Sequence, residues 1–269
     1  QIVKDLIEEV KKETVRSNLQ ISIELVGSTA KGTYLKDGID IDLFLLFPIT
    51  VTRKKLEETG LSIGRSILKN QEECFAEHPY IRGAFKGVKT EIVPCYKIES
   101  ASQKLSAVDR TPLHTKYGKE HLTASHKTEV RLFKQFLKGI GCYGAEAEIE
   151  GFSGYLCEIL IIKYSTFYSI LINAQYWKYG EKLSLIKEKS PHFNTPLIFI
   201  DPVDKERNVA SALSKEKFTL FVKACKDYIN KPSFTFFFPN KIIPWSIEKI
   251  KQSIEKRKII AIKIEKPHI

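Results

Sequence analysis

Residues 24–47 read ELVGSTAKGTYLKDGIDIDLFLLF, and the spacing within this stretch decides the fold. Ile21 to Val26 alternates in polarity and predicts a strand, which Gly27-Ser28 breaks. Ile39 to Phe47 predicts a second strand, ended by Pro48. Alternate side chains of a strand share a face. Asp40 and Asp42 are therefore expected to point one way, and Ile41 and Leu43 the other. The strand runs on as LFLLF, so it belongs in a core. Two like charges at the start of a core strand are costly unless a cation compensates them.

Asp-x-Asp alone is also what two solvated acids look like where a strand leaves a turn. Two further features favour a site. Gly27 permits a tight turn and close approach of backbone N–H groups to a phosphate, and Ser28 adds a hydroxyl donor. A third acid, Glu91, sits in the apolar run TEIVPCY, where a lone carboxylate is otherwise hard to explain. Carboxylates hold hard cations such as Mg²⁺. Three of them beside a phosphate-cradling turn predict a two-metal phosphoryl-transfer site with Asp40, Asp42 and Glu91 as ligands of two Mg²⁺ ions.

Outward from this stretch, residues 1–100 predict an α/β unit with a mixed sheet. Ile2 to Arg16 and Arg53 to Leu68 read as helices, and Ile81 to Phe85 with Val88 to Val93 as a hairpin around Lys86-Gly87. From Ala101 the pattern turns mainly helical. His126 to Leu137, Phe152 to Ile172 and Lys215 to Ile229 are the candidate helices, and a Pro-rich loop (Pro191, Pro196, Pro202) precedes the last of them. The segment Phe152 to Ile172 is apolar nearly all round and is expected in the middle of a core. After Lys231-Pro232 come a helix over Ser246 to Glu255 and a strand over Ile259 to Ile264.

With 269 residues, 43% hydrophobic and 28% charged, the chain can fill about two domains and is not a disordered chain. No apolar run reaches the ~18 residues of a membrane span, and Gln1 to Lys12 reads as an amphipathic helix rather than a signal peptide. The net charge of +11 serves solubility, or a polyanion whose phosphates Lys and Arg neutralise. The five cysteines form no C-x-x-C pair, so reduced thiols in a cytoplasmic protein are expected and zinc is not. The chain has no methionine and ends just after a strand-like run, so it is expected to be a piece of a longer protein.

Beyond these readings, the blocks VGSTAKGTYLKDGIDIDLFLLFP, AEHPYIRGAFKGVKTEIVPCYK, SAVDRTPLHTKY, EVRLFKQFLK, YGAE, GFSGYLCEILI and DPVDKERNVA occur in order over about residues 25–215. Together they resemble the archaeal, class I CCA-adding enzymes (tRNA nucleotidyltransferases), within the DNA polymerase β-like nucleotidyltransferase superfamily. The resemblance implies an α+β chain. Residues 1–100 would be a nucleotidyltransferase head with a mixed β-sheet flanked by helices, 101–232 a mainly helical neck, and 233–269 the start of an α/β body. It implies addition of C, C and A to the tRNA 3′ end from CTP and ATP, without a nucleic-acid template, and it allows a homodimer.

By motif position the resemblance assigns Ser28 and Lys31 to the triphosphate, and His114, Lys134, Tyr143 and Arg207 to the nucleotide, Arg207 helping to select the base; Gly27 joins the nucleotide-binding residues through its turn. Lys31 stands where the family carries Arg, Glu91 where it carries Asp, and the family's tail is not in the chain. By chemistry alone His114 reads as a loop histidine, Lys134 as part of a solvated helix face, Tyr143 as core packing and Arg207 as a turn residue. The alternative readings are a poly(A) polymerase or oligoadenylate synthetase-like enzyme, and a catalytically inactive RNA-binding relative.

Overall fold

The structure is a computed structural model and describes residues 1–187, 191–241 and 244–255. Seven strands and nine α-helices lie among them. Strands β1 (Ser22–Val26), β2 (Ile41–Phe47), β3 (Lys69–Phe75), β4 (Pro79–Phe85) and β5 (Val88–Tyr96) form one mixed sheet in the order β1-β2-β5-β4-β3. β2 and β5 pair in parallel, and the other neighbours are antiparallel. Parallel pairing needs a crossover. Here it is made by α3 (Arg53–Ile67), started by Thr52, whose hydroxyl accepts from the Lys55 N–H, together with β3 and β4.

The alternation expected of β2 is realised. Ile41, Leu43, Leu45 and Phe47 pack into one apolar layer with Leu6 and Val10 of α1 (Ile2–Arg16) and Leu56 and Ile63 of α3. Phe44 and Leu46 pack into the other, with Val26, Val93 and Cys95. The strand starts one residue after Asp40, so Asp40 lies just ahead of the ladder and Asp42 within it.

The second half is built around α5 (Ala124–Gly139), α6 (Gly154–Tyr164), α7 (Phe167–Ala174) and α8 (Lys215–Asn230), with a rich aromatic core that includes Phe133, Phe136, Phe152, Phe167 and Phe221. The single helix expected over Phe152 to Ile172 is two helices bent by 90°. The cause is local: Ser165 takes φ 68°, and the Thr166 side chain then caps α7 by accepting from the Ser169 N–H. No single helix among the described residues is long and apolar enough to cross a membrane. α6 is apolar all round because it is enclosed, with Leu156, Cys157, Ile159, Leu160 and Ile161 fully buried.

Several elements were not expected, among them three strands and the helix over Arg110–His121, which makes His114 a helix residue rather than a loop histidine. The exposed strand β3 has too little polarity contrast to announce itself and exists by pairing with β4 at the sheet edge. Within the region read as a Pro-rich loop, β7 (Leu197–Ile200) pairs in parallel with β6 (Glu181–Ser184). The expected strand Ile259 to Ile264 lies outside the described residues. Four of the cysteines are buried and all five are free thiols.

Candidate active site

Strand register assembles the acidic group. Val26 faces Asp42 across β1 and β2, Asp42 lies beside Glu91 on β5, Glu91 faces Arg82 on β4, and Arg82 faces Glu72 on β3. Laterally paired residues share a face, so one row of side chains crosses the whole sheet with two carboxylates at its centre. At the open end of β1 the chain enters α2 (Gly27–Lys31), whose first turn holds the half-buried Ser28. The Thr29 hydroxyl donates to the Asp40 carbonyl at 2.5 Å and ties this turn to the residue that precedes β2.

Gly27 is required here twice over. Its φ is 71°, and a Cβ would stand 1.9 Å from Asp42 Oδ2. The left-handed backbone alone costs an L-residue ~1–2 kcal/mol. Gly27→Ala is therefore expected to lower the melting temperature and displace the Asp42 carboxylate. Thermal melts with a nucleotide-incorporation assay check this, and unchanged values in both would remove the cradle from the account.

Burial raises the Asp42 pKa from 3.8 to about 6, and repulsion by Glu91 and then Asp40 adds to it. The other two acids hold cations: Glu91 accepts from Arg82 Nε at 2.8 Å, and Asp40 Oδ2 from Lys89 Nζ at 3.2 Å. Among the described residues no three His, Cys, Asp or Glu side chains are grouped so as to hold one metal ion. The expected trio is thus a lateral pair, Asp42 and Glu91, with Asp40 half-exposed and turned to Lys89. The donor set still fits a divalent cation. Three hard carboxylates repel one another around Asp42, and a cation is what relieves that.

A pH test follows from the same shift. The folded pKa lies above the unfolded one, so the proton-linked stabilisation is full below pH 3.8 and lost as pH rises through about 6. In metal-free buffer the wild type is expected to lose stability over that interval relative to Asp42→Asn. Melting curves at several pH values check this, and parallel pH dependence of the two proteins would contradict it.

Above the acids opens a cleft of about 480 Å³ whose walls include Gly27, Asp42, Tyr80, Glu91, His114 and Arg207. His114 comes from α4 (Arg110–His121) and Arg207 from the loop after β7. Both reach the buried Asp201: His114 Nε2 lies 2.8 Å from its Oδ2, and Arg207 Nη1 donates to the same oxygen at 2.8 Å.

The remaining sequence candidates form a second cluster. Lys31 is buried and donates to Glu158 Oε2 at 2.5 Å, while the Thr33 hydroxyl donates to Glu158 Oε1 at 2.7 Å. Lys134, also buried, donates to the Thr33 carbonyl at 3.0 Å, and its burial depresses its pKa. A Cβ on Gly154, at the start of α6, would lie 3.4 Å from the Tyr143 hydroxyl and 3.5 Å from Lys134 Nζ. Tyr143 and Lys134 therefore converge on one spot, and burial pushes the Tyr143 phenol well up.

Tyr155 links the two clusters: its ring stacks on His114 with centroids 4.1 Å apart, and Lys31 Nζ lies 5.7 Å from its centroid. Glu158, Asp201, Tyr155 and Arg82 were not assigned from sequence. Glu158 carries the signal that marked Glu91, a lone acid in an apolar run (GYLCEILII). Asp201, in IDPVDKE, looks like an ordinary turn acid.

Comparison with known proteins adds to this geometry. The family described as "Nucleotidyltransferase domain" matches residues 4–114, and "tRNA nucleotidyltransferase, second domain" matches residues 128–238. The chain is 42% identical over 241 residues to the CCA-adding enzyme of Methanosarcina barkeri, which covers 88% of this chain and 53% of that one. With the CCA-adding enzyme of Thermoplasma volcanium it shares 47% over 220 residues, 82% of this chain and 49% of the relative. With that of Archaeoglobus fulgidus it shares 40% over 275 residues, 97% of this chain and 62% of the relative. The chain thus spans about half the length of the first two curated relatives and somewhat more of the third.

Among solved structures it is similar to the Cid1 poly(U) polymerase (TM-score 0.66, 13% identity, 87% of this chain and 88% of that one). It is also similar to CdnC from E. coli MS115-1 (TM-score 0.60, 17% identity, 88% and 85%). At such identities the likeness is one of fold.

Proposed function

From the premise that this chain belongs to the archaeal tRNA nucleotidyltransferase family, we propose that it adds C, C and A to the tRNA 3′ end from CTP and ATP. The observation that carries the reading is the lateral pair of Asp42 and Glu91 beside the Gly27 turn, in a cleft that also presents His114 and Arg207. In the reaction the RNA 3′ oxygen attacks the α-phosphorus of the incoming nucleotide. The bond from that phosphorus to the bridging oxygen breaks, and pyrophosphate leaves with it.

Asp40, Asp42 and Glu91 would hold two Mg²⁺ ions, Asp40 and Glu91 giving up Lys89 and Arg82. When bound there, the ions lower the pKa of the attacking hydroxyl and stabilise the leaving group. The backbone at Gly27 and the Ser28 hydroxyl face the triphosphate, and Lys31 joins it by leaving Glu158. His114 and Arg207 orient the base, and Lys134 and Tyr143 of the second cluster bind the nucleotide. We assign residues 1–100 to the head, 101–232 to the neck and 233–269 to the start of the body.

The test supplies tRNA lacking its 3′ end with each nucleoside triphosphate separately. Incorporation limited to C and then A supports the reading. Long A tracts would favour a poly(A) polymerase, and RNA binding without incorporation an inactive relative. The net charge of +11 further predicts that the logarithm of the tRNA affinity falls linearly with log salt, with a slope set by the phosphates neutralised. Filter binding across salt concentrations checks it, and a flat plot would remove phosphate contact. The same reading puts the protein in the cytoplasm, and a light-scattering mass twice that of the chain would support a homodimer.

A further inference from the structure

Asp201 is fully buried, yet four donors converge on it. Oδ2 faces His114 Nε2 and Arg207 Nη1, each at 2.8 Å, while Oδ1 accepts from the Tyr155 hydroxyl at 3.2 Å and the Val203 N–H at 3.1 Å. Although burial opposes ionisation, the hydrogen bond from His114 and its other partners hold the Asp201 pKa below 3.8. An ionised carboxylate only accepts hydrogen bonds. The His114 nitrogen that meets it must therefore carry the proton.

Burial pulls the His114 pKa below 6.5, so the ring is neutral at pH 7 and its Nδ1 is a bare acceptor. The ring is held at its edge by Asp201 and on its face by Tyr155, with an interplanar angle of 25°. Arg207 is held by the same oxygen and contributes donors alone.

We propose that Asp201 is a positioning residue that locks His114 in the Nε2–H tautomer and pins Arg207 beside it, so that the cleft offers an incoming base an acceptor next to a set of donors. Cytosine and adenine each present an amino group next to a bare ring nitrogen, which complements that pattern. Uracil and guanine present a carbonyl next to a ring N–H, which opposes it. The specificity half of this inference rests on the nucleotidyltransferase reading; the tautomer half does not.

Imidazole ¹⁵N NMR of the free protein at pH 7 tests the tautomer half. His114 is expected to carry its proton on Nε2 alone, and a doubly protonated ring or the Nδ1–H form in the wild type overturns the proposal. In Asp201→Ala no acceptor faces Nε2, and the two ring ¹⁵N shifts are expected to move toward those of a mixed tautomer population. Unmoved shifts in a folded variant also count against Asp201 as the lock. The second arm measures UTP against CTP incorporation on tRNA lacking its 3′ end. Asp201→Ala is expected to raise that ratio about tenfold with tRNA affinity unchanged. An unchanged ratio overturns the specificity half. Wild-type protein with the expected tautomer but no incorporation of any nucleotide would instead sink the nucleotidyltransferase reading and leave the positioning role standing.

Discussion

Asp42→Ala is expected to lower single-turnover nucleotide incorporation by at least about 10³-fold while leaving tRNA affinity within about twofold of wild type. The argument is one of separate groups. Asp42 sits at the centre of the acidic row, against Gly27 and beside Glu91, where a divalent cation would be held. On the proposed tRNA reading, RNA grip would come from Lys and Arg spread over a chain with a net charge of +11, and one buried-side carboxylate would contribute little to it. Asp42→Asn is expected to be equally inactive yet more heat-stable in metal-free buffer, because it removes a charge that burial, Glu91 and Asp40 all disfavour. That combination, lost activity with gained stability, marks a side chain kept for chemistry. Filter binding beside the extension assay decides the matter: a parallel loss of RNA affinity would contradict the division of labour.

Asp42 and its turn were legible because strand chemistry is local. A glycine-serine break and an Asp-x-Asp at the head of LFLLF are anomalies that period-2 patterning exposes directly. Glu91 was legible as an isolated acid in an apolar strand, but its register beside Asp42 was not. That pairing joins residues 49 positions apart through a crossover whose length no local pattern sets. The edge strand β3, KNQEECF, exists only through its ladder with β4, so its own residues carry no period. The break between α6 and α7 was hidden for the opposite reason: hydrophobicity runs through it, and only the Ser165-Thr166 pair marks the new cap.

The site candidates divide in the same way. His114, Lys134, Tyr143 and Arg207 carry no local anomaly, since a helix lysine or a turn arginine is an ordinary residue. Their assignments came from resemblance alone. The carboxylates that organise them, Asp201 and Glu158, became visible only when chain segments distant in sequence were brought together.

Glu158→Ala is expected to destabilise the chain by about 3–5 kcal/mol, because it strands the buried ammonium of Lys31. Lys31 and Glu158 side chains are only 6% and 2% exposed, and their 2.5 Å contact joins α2 of the first half to α6 of the second. Thr33 and Lys134 complete the network, so Glu158 is the counter-charge for two buried lysines at once. The double variant Lys31→Met with Glu158→Leu is expected to lose less than Glu158→Ala, since it removes the Lys31 ammonium along with its counter-charge and leaves only Lys134, still donating to the Thr33 carbonyl, without a carboxylate. Urea denaturation of the wild type, Lys31→Met, Glu158→Leu and the double variant closes the cycle; a double-variant loss equal to the sum of the two single losses would mean the two residues are not coupled. Coupling without large net stabilisation would say why an ion pair occupies a place that two apolar side chains could fill. A lysine held by a carboxylate can be handed to a triphosphate of the same sign, whereas a methionine cannot.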